Sequence, residues 1–367
     1  MLNEMTLRVQ KTEIADYNQI QSLFQRNKLS FMNKDSWLNL WKNPLVKKQK
    51  KIVLGWKFKV GKKIVGHIGF YPTLYYFKNK KINCSILYGW TVDEKYRSIS
   101  IVLLKKYLSQ TKKDFFLGTT FNIYTANIVK PFEILEVPAK GLNKTSLILI
   151  NPLNFLNVIF FNKEFFLKKL ILHTISKILK IILWRNINKW KKYRIKNIIK
   201  KSKNFDNKFK TFWKKYLKEN SDTLQISREI KWQNWLLKKK IINNQVLTLV
   251  CLKNNKVLGY SAFSIEKKGK YKIGRLLDLI VLKKNKDIID DLIICNLNEA
   301  YKKGCSYFEY RNTSISRLKT LKSFAGIEIK LKQNNFYYKS NNAKLTKIFS
   351  SGKNWDPCSL DGDILMR

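Results

Sequence analysis

The same order of predicted elements occurs twice in this sequence, and this repetition restricts the fold more than any other feature. Each half begins with two short helices, continues with antiparallel strands, and ends with a helix, a strand and a helix. In the first half these elements lie at 19–31, 36–41, 51–60, 64–71, 74–77, 82–92, 98–109, 115–119 and 122–130. In the second half they lie at 205–217, 232–239, 246–252, 257–265, 276–282, 287–303, 307–311 and 314–324. The repeated order predicts an internal duplication of one fold, although two unrelated α/β domains that share a hairpin would give a similar order.

The turns of the first hairpin in each half also correspond. The segment Gly61-Lys62-Lys63-Ile64-Val65-Gly66-His67 occupies the place that Asn255-Lys256-Val257-Leu258-Gly259-Tyr260 has in the second half. Gly, Asn and Lys between alternating apolar stretches are typical of hairpin turns. The length of 367 residues is sufficient for two domains. We therefore predict an α+β protein with two tandem domains, at 1–150 and 204–367, each a mixed, mostly antiparallel sheet flanked by helices.

The charge of the chain is strongly positive. Lys and Arg number 73 and Asp and Glu 25, which gives a formal net charge of +48. Such a surface attracts anionic partners, including nucleic acids, nucleotides, CoA phosphates and acidic lipid headgroups. The excess is mostly Lys, however, and Asn and Ile are also abundant, as an AT-rich genome would favour. Because Arg, the better bidentate ligand of phosphate and bases, is scarce, nucleic-acid binding is the less favoured interpretation, although it is not excluded.

The five cysteines and the N-terminus predict the compartment. Cys84, Cys251, Cys295, Cys305 and Cys358 form no CxxC pair, which argues against a disulfide framework and a zinc site. Residues 1–10 lack the apolar core of a signal peptide. No uninterrupted apolar run reaches the length that a membrane-spanning helix requires. These features predict a cytoplasmic protein without a bound metal.

The segment 151–203 differs from both halves because it contains no Gly and is dense in Phe, Ile, Leu, Lys and Trp. Within it, Lys168, Lys169, Lys177 and Lys180 lie on one half of a helical wheel over 165–183, opposite an apolar half. A basic amphipathic helix of this kind could bind an anionic membrane at its inner face. The interpretation as a linker helix packed on its own domains is slightly favoured.

A resemblance to a known family begins at Gly89-Trp90-Thr91-Val92-Asp93-Glu94-Lys95-Tyr96-Arg97-Ser98. This segment resembles the central strand and following loop of the GCN5-related N-acetyltransferase (GNAT) superfamily. In that family a loop of the form Arg/Gln-x-x-Gly-x-Gly/Ala opens a helix whose N-terminal amides hold the pyrophosphate of CoA. The resemblance implies that Val92, Arg97, Ser98 and Ser100 contact acyl-CoA as a substrate. Ser100 and Val102 stand where the family has its small residues.

Two further properties follow from the same resemblance. The segment Asn122-Ile123-Tyr124-Thr125-Ala126-Asn127-Ile128 resembles the family's Asn-x-x-Ala helix, which implies a cofactor contact for Asn122. In the family that helix often carries a Tyr that protonates the departing thiolate. The position equivalent to that Tyr is near Val129 in this sequence, and Tyr124 is the nearest Tyr. The family's oxyanion hole consists of backbone N–H groups of the central strand, which here implies Trp90 to Val92.

The second half resembles tandem acetyltransferases from bacterial surface-polysaccharide loci. The similar phrases are Ser227-Arg228-Glu229-Ile230-Lys231-Trp232-Gln233-Asn234-Trp235 and the ending Asn354-Trp355-Asp356-Pro357 with Asp361-Gly362-Asp363. The loop at 282–286 has no Gly, so this half lacks a pyrophosphate loop. The resemblance implies an amino-sugar or glycolipid acceptor.

Few residues are candidates for the base that deprotonates an attacking amine. His67, on the strand after the first hairpin, is one candidate, and an inert core histidine is the alternative. Asp278 lies within an apolar strand, where a raised pKa would suit a base, and a structural ion pair is the alternative. Asp361 and Asp363 could bind a metal or a sugar hydroxyl, although an Asp-Gly-Asp turn is favoured.

Together these features predict an N-acyltransferase that moves an acyl group from acetyl-CoA or another acyl-CoA to an amino sugar of a cell-surface polysaccharide precursor. One alternative is a Fem-type aminoacyl transferase, which uses charged tRNA and lacks the pyrophosphate loop. The other is a non-catalytic adaptor that binds membrane or nucleic acid on the same scaffold.

Overall fold

The structure is a computed structural model that describes residues 8–29, 31–46, 53–110, 114–151, 154–155, 192–311, 327–330 and 336–362. The predicted amphipathic helix at 165–183, the predicted helix at 314–324 and Asp363 lie outside these residues. Among the helices that the structure describes, none has both the length and the apolar character that crossing a bilayer requires.

The described part of the first half contains seven strands and four α-helices, and its two longest strands, β3 and β4, form an extended hairpin. In chain order the elements are β1 (Arg8–Lys11), α1 (Tyr17–Arg26), α2 (Lys34–Leu40), β2 (Gly55–Val60), β3 (Lys63–Phe77), β4 (Lys80–Val92), α3 (Ser100–Gln110), β5 (Phe115–Gly118), α4 (Ile123–Val129), β6 (Leu135–Glu136) and β7 (Lys144–Leu149). Single turns of 3₁₀ helix precede α1 (Ile14–Asp16), precede α3 (Glu94–Ile99) and follow α4 (Lys130–Phe132).

The second half repeats this order. Its elements are β8 (Ile198–Lys201), α5 (Asn207–Glu219), β9 (Gln225–Ile226), α6 (Ile230–Ile242), β10 (Val246–Lys253), β11 (Lys256–Lys268), β12 (Tyr271–Val281), α7 (Lys286–Lys302), β13 (Cys305–Arg311), β14 (Ile327–Lys330), β15 (Tyr337–Ser340) and α8 (Ala343–Phe349). Helices α5 and α7 are each capped by an Asp or Asn side chain, from Asp206 and Asn285, that accepts a backbone N–H of the first turn.

The strands form two mixed sheets with corresponding orders. The first sheet runs β1-β2-β3-β4-β5-β15-β6, with β9 added to the far end of β3, and the second runs β8-β10-β11-β12-β13-β7-β14. Each has one parallel pair near its centre, β4 with β5 and β12 with β13. Two mixed sheets flanked by helices confirm the predicted fold class.

Besides β9, each half contributes one strand to the sheet of the other half. Strand β7 of the first half lies between β13 and β14 in the second sheet, and β15 of the second half lies between β5 and β6 in the first sheet. Each sheet is therefore completed by a strand from the other half. The predicted boundaries at 150 and 203 stay a prediction. Strands β7 and β15 each lie within one predicted domain and join the sheet of the other.

The inner faces of the two sheets share one hydrophobic core. Its largest cluster contains Ile86 of β4, Ile280 of β12, Trp232 of α6 and Trp355 near the end of the chain. The outer face of the first sheet packs against α3, and that of the second packs against α7. Burial of these aromatic and aliphatic side chains stabilises both halves together.

Candidate active site

The first sheet opens between β4 and β5. Parallel pairing runs from Cys84 opposite Phe115 to Leu87 opposite Gly118, where β5 ends. Strand β4 continues to Val92 without a β5 neighbour. Backbone N–H and C=O groups on this edge of β4 are therefore positioned to bond an extended ligand, since such groups require partners.

The backbone of Val92 faces this opening. The N–H of the next residue, Asp93, donates to the Val65 carbonyl of β3 at 2.8 Å. Successive amides of an extended strand alternate between its two edges, so the Val92 N–H points away from β3 and toward the diverging β5. This is the orientation that the predicted acyl-CoA contact of Val92 requires.

A β-bulge interrupts β4 just before Val92. His67 pairs with Thr91 and Gly69 pairs with Tyr88, so Gly89 and Trp90 together lie opposite Ile68. Gly89 has φ +58°, and a Cβ there would lie 2.9 Å from Cζ of Phe24. The bulge therefore requires a glycine at this position, and it sets the direction of the Trp90 amide.

His67 lies under the bulge and is fully buried. Its Nδ1 is 3.0 Å from the carbonyl oxygen of Gly89, which identifies Nδ1 as the protonated nitrogen that donates to it. Burial lowers the pKa of His67 to about 4, although the bond to Gly89 and the nearby Asp16 carboxylate act in the opposite direction. His67 is thus a neutral imidazole at neutral pH.

The loop after β4 leads directly into α3 as a 3₁₀ turn. Arg97 is exposed at 67% of its side chain, with its guanidinium 3.5 Å from the Glu94 carboxylate. Ser98 is exposed and Ser100 is half-buried at the first residue of α3. All three lie at the N-terminus of this helix, beside the end of β4, where an anionic ligand would gain from the helix dipole.

Helix α4 follows β5, the strand on the other side of the opening. Asn122 is its N-cap, and its side-chain oxygen accepts the N–H of Thr125 at 2.8 Å. Tyr124 is 77% exposed. Helices α3 and α4 pack on one cluster, through residues such as Leu103 and Val129, and together they expose an unusual set of apolar side chains: Ile101, Val102, Ile123, Tyr124 and Ile128.

Asp278 lies apart from these residues, on β12 of the second sheet. Its carboxylate accepts two hydrogen bonds from Arg228, at 2.6 and 2.8 Å, and both side chains are buried. The guanidinium also stacks over the ring of Trp213 at 5.5 Å. The structure brings His67, Trp90, Val92, Arg97, Ser98, Ser100, Asn122 and Tyr124 to the first sheet, and Asp278 to the second.

The sequence alone predicts no role for Arg228. It belongs to the phrase at 227–235, but its role depends on a partner fifty residues away. A different buried pair links the two halves: the Tyr75 hydroxyl of the first half donates to the Asp361 carboxylate of the second at 2.6 Å. Burial raises the pKa of the Asp361 carboxyl, against the effect of this bond and of the Cys358 amide. Tyr75 gave no signal in the sequence beyond its place on a strand.

A metal site or a pocket elsewhere in the described residues would be an alternative to the opening between β4 and β5 as the functional site. No group of three or more His, Cys, Asp or Glu side chains within the described residues is arranged to hold a metal ion. A surface depression of about 640 Å³ lies near the start of α8, and none of the predicted site residues lines it. The opening between β4 and β5 therefore stays the candidate site.

Comparisons with known proteins identify the fold. No protein-family model matches the sequence, and no curated protein is significantly similar to it. Among solved structures, a GCN5-related N-acetyltransferase from Anabaena variabilis is 11% identical, with 92% of this chain and 73% of that chain covered and a TM-score of 0.55. One from Kribbella flavida is 8% identical, with coverages of 91% and 71% and a TM-score of 0.56.

Saccharomyces cerevisiae N-myristoyltransferase with bound myristoyl-CoA is also similar. It is 12% identical, with 92% of this chain and 83% of that chain covered and a TM-score of 0.57. Identities this low identify the fold alone. The chain has the fold of the GCN5-related N-acetyltransferases.

Proposed function

We propose that this protein transfers an acyl group from acyl-CoA to a primary amine at the opening between β4 and β5. The observation that carries the proposal is the end of β4, where a bulge at Gly89–Trp90 and the Val92 amide face a gap left by β5. Backbone donors held in this way stabilise an oxyanion without depending on side-chain identity.

In the proposed reaction the amine nitrogen attacks the thioester carbonyl carbon, and the C–S bond breaks as the amide forms. The Trp90 amide stabilises the intermediate oxyanion, the Val92 amide bonds another polar group of the acyl-CoA, and Tyr124 is the candidate donor of the proton that the CoA thiolate takes up. A free alkylamine has a pKa of roughly 10 and is mostly protonated at neutral pH. The attacking amine must therefore lose a proton to the solvent before the attack, and the proton that its nitrogen loses as the amide forms restores the one that Tyr124 gives to the thiolate.

The donor is held by the surface between α3 and α4. Arg97, which is exposed, and the N-terminal amides of α3 are the proposed contacts of the phosphates, and the exposed apolar side chains of both helices are the proposed contacts of the pantetheine and acyl chain. Charge-assisted contacts to phosphate are the stronger class of hydrogen bond. Acetyl-CoA and longer acyl-CoAs are the donors to test.

The acceptor we propose is an amino sugar of a cell-surface polysaccharide precursor. The phrase at 227–235 supports this class, and the net charge of +48 would attract a sugar carried on a nucleotide or lipid phosphate. The second candidate is a Fem-type transferase, which the absence of Gly in the loop at 97–102 favours.

Purified protein provides the test. Calorimetric titration with acetyl-CoA and a long-chain acyl-CoA measures donor binding, and mass spectrometry of amino-sugar and nucleotide-sugar acceptors measures transfer. Binding and transfer with acyl-CoA support the proposal. Transfer that requires charged tRNA would favour the Fem-type alternative, and neither binding nor transfer, together with binding to anionic liposomes or RNA, would favour an adaptor.

A further inference from the structure

One buried hydrogen bond has no role in the reaction as proposed so far, namely the contact of His67 with the bulge. His67 is on β3, and its ring donates from Nδ1 to the Gly89 carbonyl on β4 at 3.0 Å. The carbonyl oxygen of Gly89 and the N–H of Trp90 belong to the same trans peptide, so they point in opposite directions. A hydrogen bond that fixes the direction of the Gly89 oxygen therefore also fixes the direction of the Trp90 N–H.

The direction of the Trp90 N–H is the property that matters for acyl transfer. The Gly89 oxygen is turned toward the His67 ring, so the Trp90 N–H is turned away from that ring. Trp90 lies on the stretch of β4 whose edge opposite β3 is left open by β5. The Val92 N–H points to the same edge, two residues further along the strand. Amides two residues apart on one strand edge are about 6.6 Å apart, so one oxyanion is bonded by one of them, the Trp90 N–H, and the Val92 N–H is available to another polar group of the acyl-CoA.

The space around His67 is shaped for the imidazole. The rings of Phe24, Phe31, Trp37 and Tyr88 have centroids 6.2 to 6.4 Å from the His67 ring. A Cβ added at Gly69 would lie 2.8 Å from Cε1 of His67, and one added at Gly55 would lie 3.1 Å from Nε2. The ring is therefore held in one place, with a single hydrogen bond among the described residues, the one to the bulge.

We propose that His67 is a positioning residue that holds the Gly89–Trp90 peptide so that the Trp90 N–H is aimed as an oxyanion donor. The inference rests on the proposed acyl transfer at this site. It differs from a general-base role, because it requires a neutral donor at the Nδ1 position and no proton transfer. Complete burial and a pKa of about 4 agree with that requirement.

The test compares three substitutions. Asn places an amide N–H close to the position of Nδ1, Gln places it close to Nε2, and Leu has no donor. His67→Asn should keep kcat within about tenfold of wild type, whereas His67→Gln and His67→Leu should lose about 100-fold, the effect of misplacing a reacting group by about 1 Å. The Kd for acetyl-CoA should change less than about threefold in all variants that fold.

The pH dependence and the histidine spectrum provide readouts that a structural role would not move. The pH profile of kcat between pH 6 and 9 should be the same for wild type and His67→Asn, since no His67 proton is transferred. The chain has only two histidines, so ¹H–¹⁵N correlation spectra should resolve the His67 ring as the Nδ1–H tautomer throughout that range. The Trp90 amide resonance should shift in His67→Leu and stay near its wild-type position in His67→Asn.

Three results would overturn the proposal. In the first, His67→Asn is as inactive as His67→Leu although both bind acetyl-CoA. In the second, His67→Leu is as active as wild type. In the third, the His67 ring carries its proton on Nε2 or titrates above pH 6. If the wild-type protein neither binds nor uses acyl-CoA, the proposed function fails instead. In that case the spectra of the ring and of the Trp90 amide still decide whether His67 positions the bulge.

Discussion

Removing one partner of the buried ion pair should destabilise the protein far more than removing both. Arg228 uses all five of its N–H donors, two on Asp278 and the others on the Gln225 side chain, the Ile226 carbonyl and the Cys358 sulfur. Both side chains are at most 1% exposed. Burial would lower the pKa of Arg228, but Asp278 outweighs it and raises that pKa, so the guanidinium stays charged.

The pair also joins the two sheets. Residues of β9, just before Arg228, pair with Tyr75 and Tyr76 of the first sheet, while Asp278 belongs to β12 of the second. Asp278→Leu leaves a buried guanidinium without its counter-ion and Arg228→Met leaves a buried carboxylate unpaired, and each single change costs about 3–5 kcal/mol. The apolar double variant Arg228→Met/Asp278→Leu removes both charges and should recover to within about 2 kcal/mol of wild type.

Urea unfolding, followed by far-ultraviolet circular dichroism and by the fluorescence of the ten tryptophans, measures these differences. A coupling energy of at least about 4 kcal/mol is expected from the four-member cycle of wild type, both single variants and the double variant, because each single variant costs about 3–5 kcal/mol and the double variant at most about 2 kcal/mol. A single variant within about 1 kcal/mol of wild type would refute the reasoning. Acyl transfer by the double variant at the wild-type rate would also show that Asp278 is not the base, whereas its loss from a folded protein would support that role.

Three further outcomes are expected. Arg97→Ala should weaken acetyl-CoA binding about tenfold through loss of a phosphate contact, and Ser100→Gly, its control at the same helix terminus, should bind as wild type or more tightly; equal Kd values for Arg97→Ala and wild type in calorimetry would contradict this. Gly89→Ala should lower the unfolding free energy by about 1–2 kcal/mol, because φ +58° is unfavourable for Ala and Phe24 must move. A melting temperature equal to wild type would exclude this strain. Lowering the pH from 7 to about 4 should destabilise wild type more than His67→Asn: the folded-state pKa of His67 is about 4 and the unfolded value is 6.5, so the unfolded chain takes up the proton first. The loss of unfolding free energy in wild type should exceed that in His67→Asn by about 3 kcal/mol near pH 4. Asp16, Lys57 and Tyr88, which face the ring, are present in both proteins and do not contribute to this difference. Parallel curves of unfolding free energy against pH would contradict a buried neutral imidazole.

Local patterns in the sequence predict most helices and hairpins, since amphipathic spacing and turn residues act over a few positions. The sequence predicts two strands, at 64–71 and 74–77, where the structure has one strand, Lys63–Phe77. Pro72 is tolerated because it lies past the last β2 pair, at Gly69, and before the first β9 pair, at Tyr75. On that stretch β3 has a sheet neighbour on only one side, so the missing N–H costs no ladder bond.

The long-range features could not be predicted in the same way. Neither β7 nor β15 is predicted as a strand, because a short apolar run does not indicate which sheet it joins. The pairing of Arg228 with Asp278 depends on the packing of β9 against the first sheet. The orientation of the bulge follows from one hydrogen bond of His67, and the sequence alone offers only the residue and its strand.

The strand exchange has a consequence for synthesis on the ribosome. Strand β5 ends at Gly118, but the strand that bonds to its outer edge begins at Tyr337. At roughly 5–20 residues per second, β5 waits tens of seconds for this neighbour, with an open edge that other chains can pair with. Because β15 bonds to Gly118 itself, the last β5 residue before the opening, a nascent chain that stops before 337 would lack the wall of its own active site. Yield and solubility should therefore depend on chaperones that cover unpaired edges during that interval.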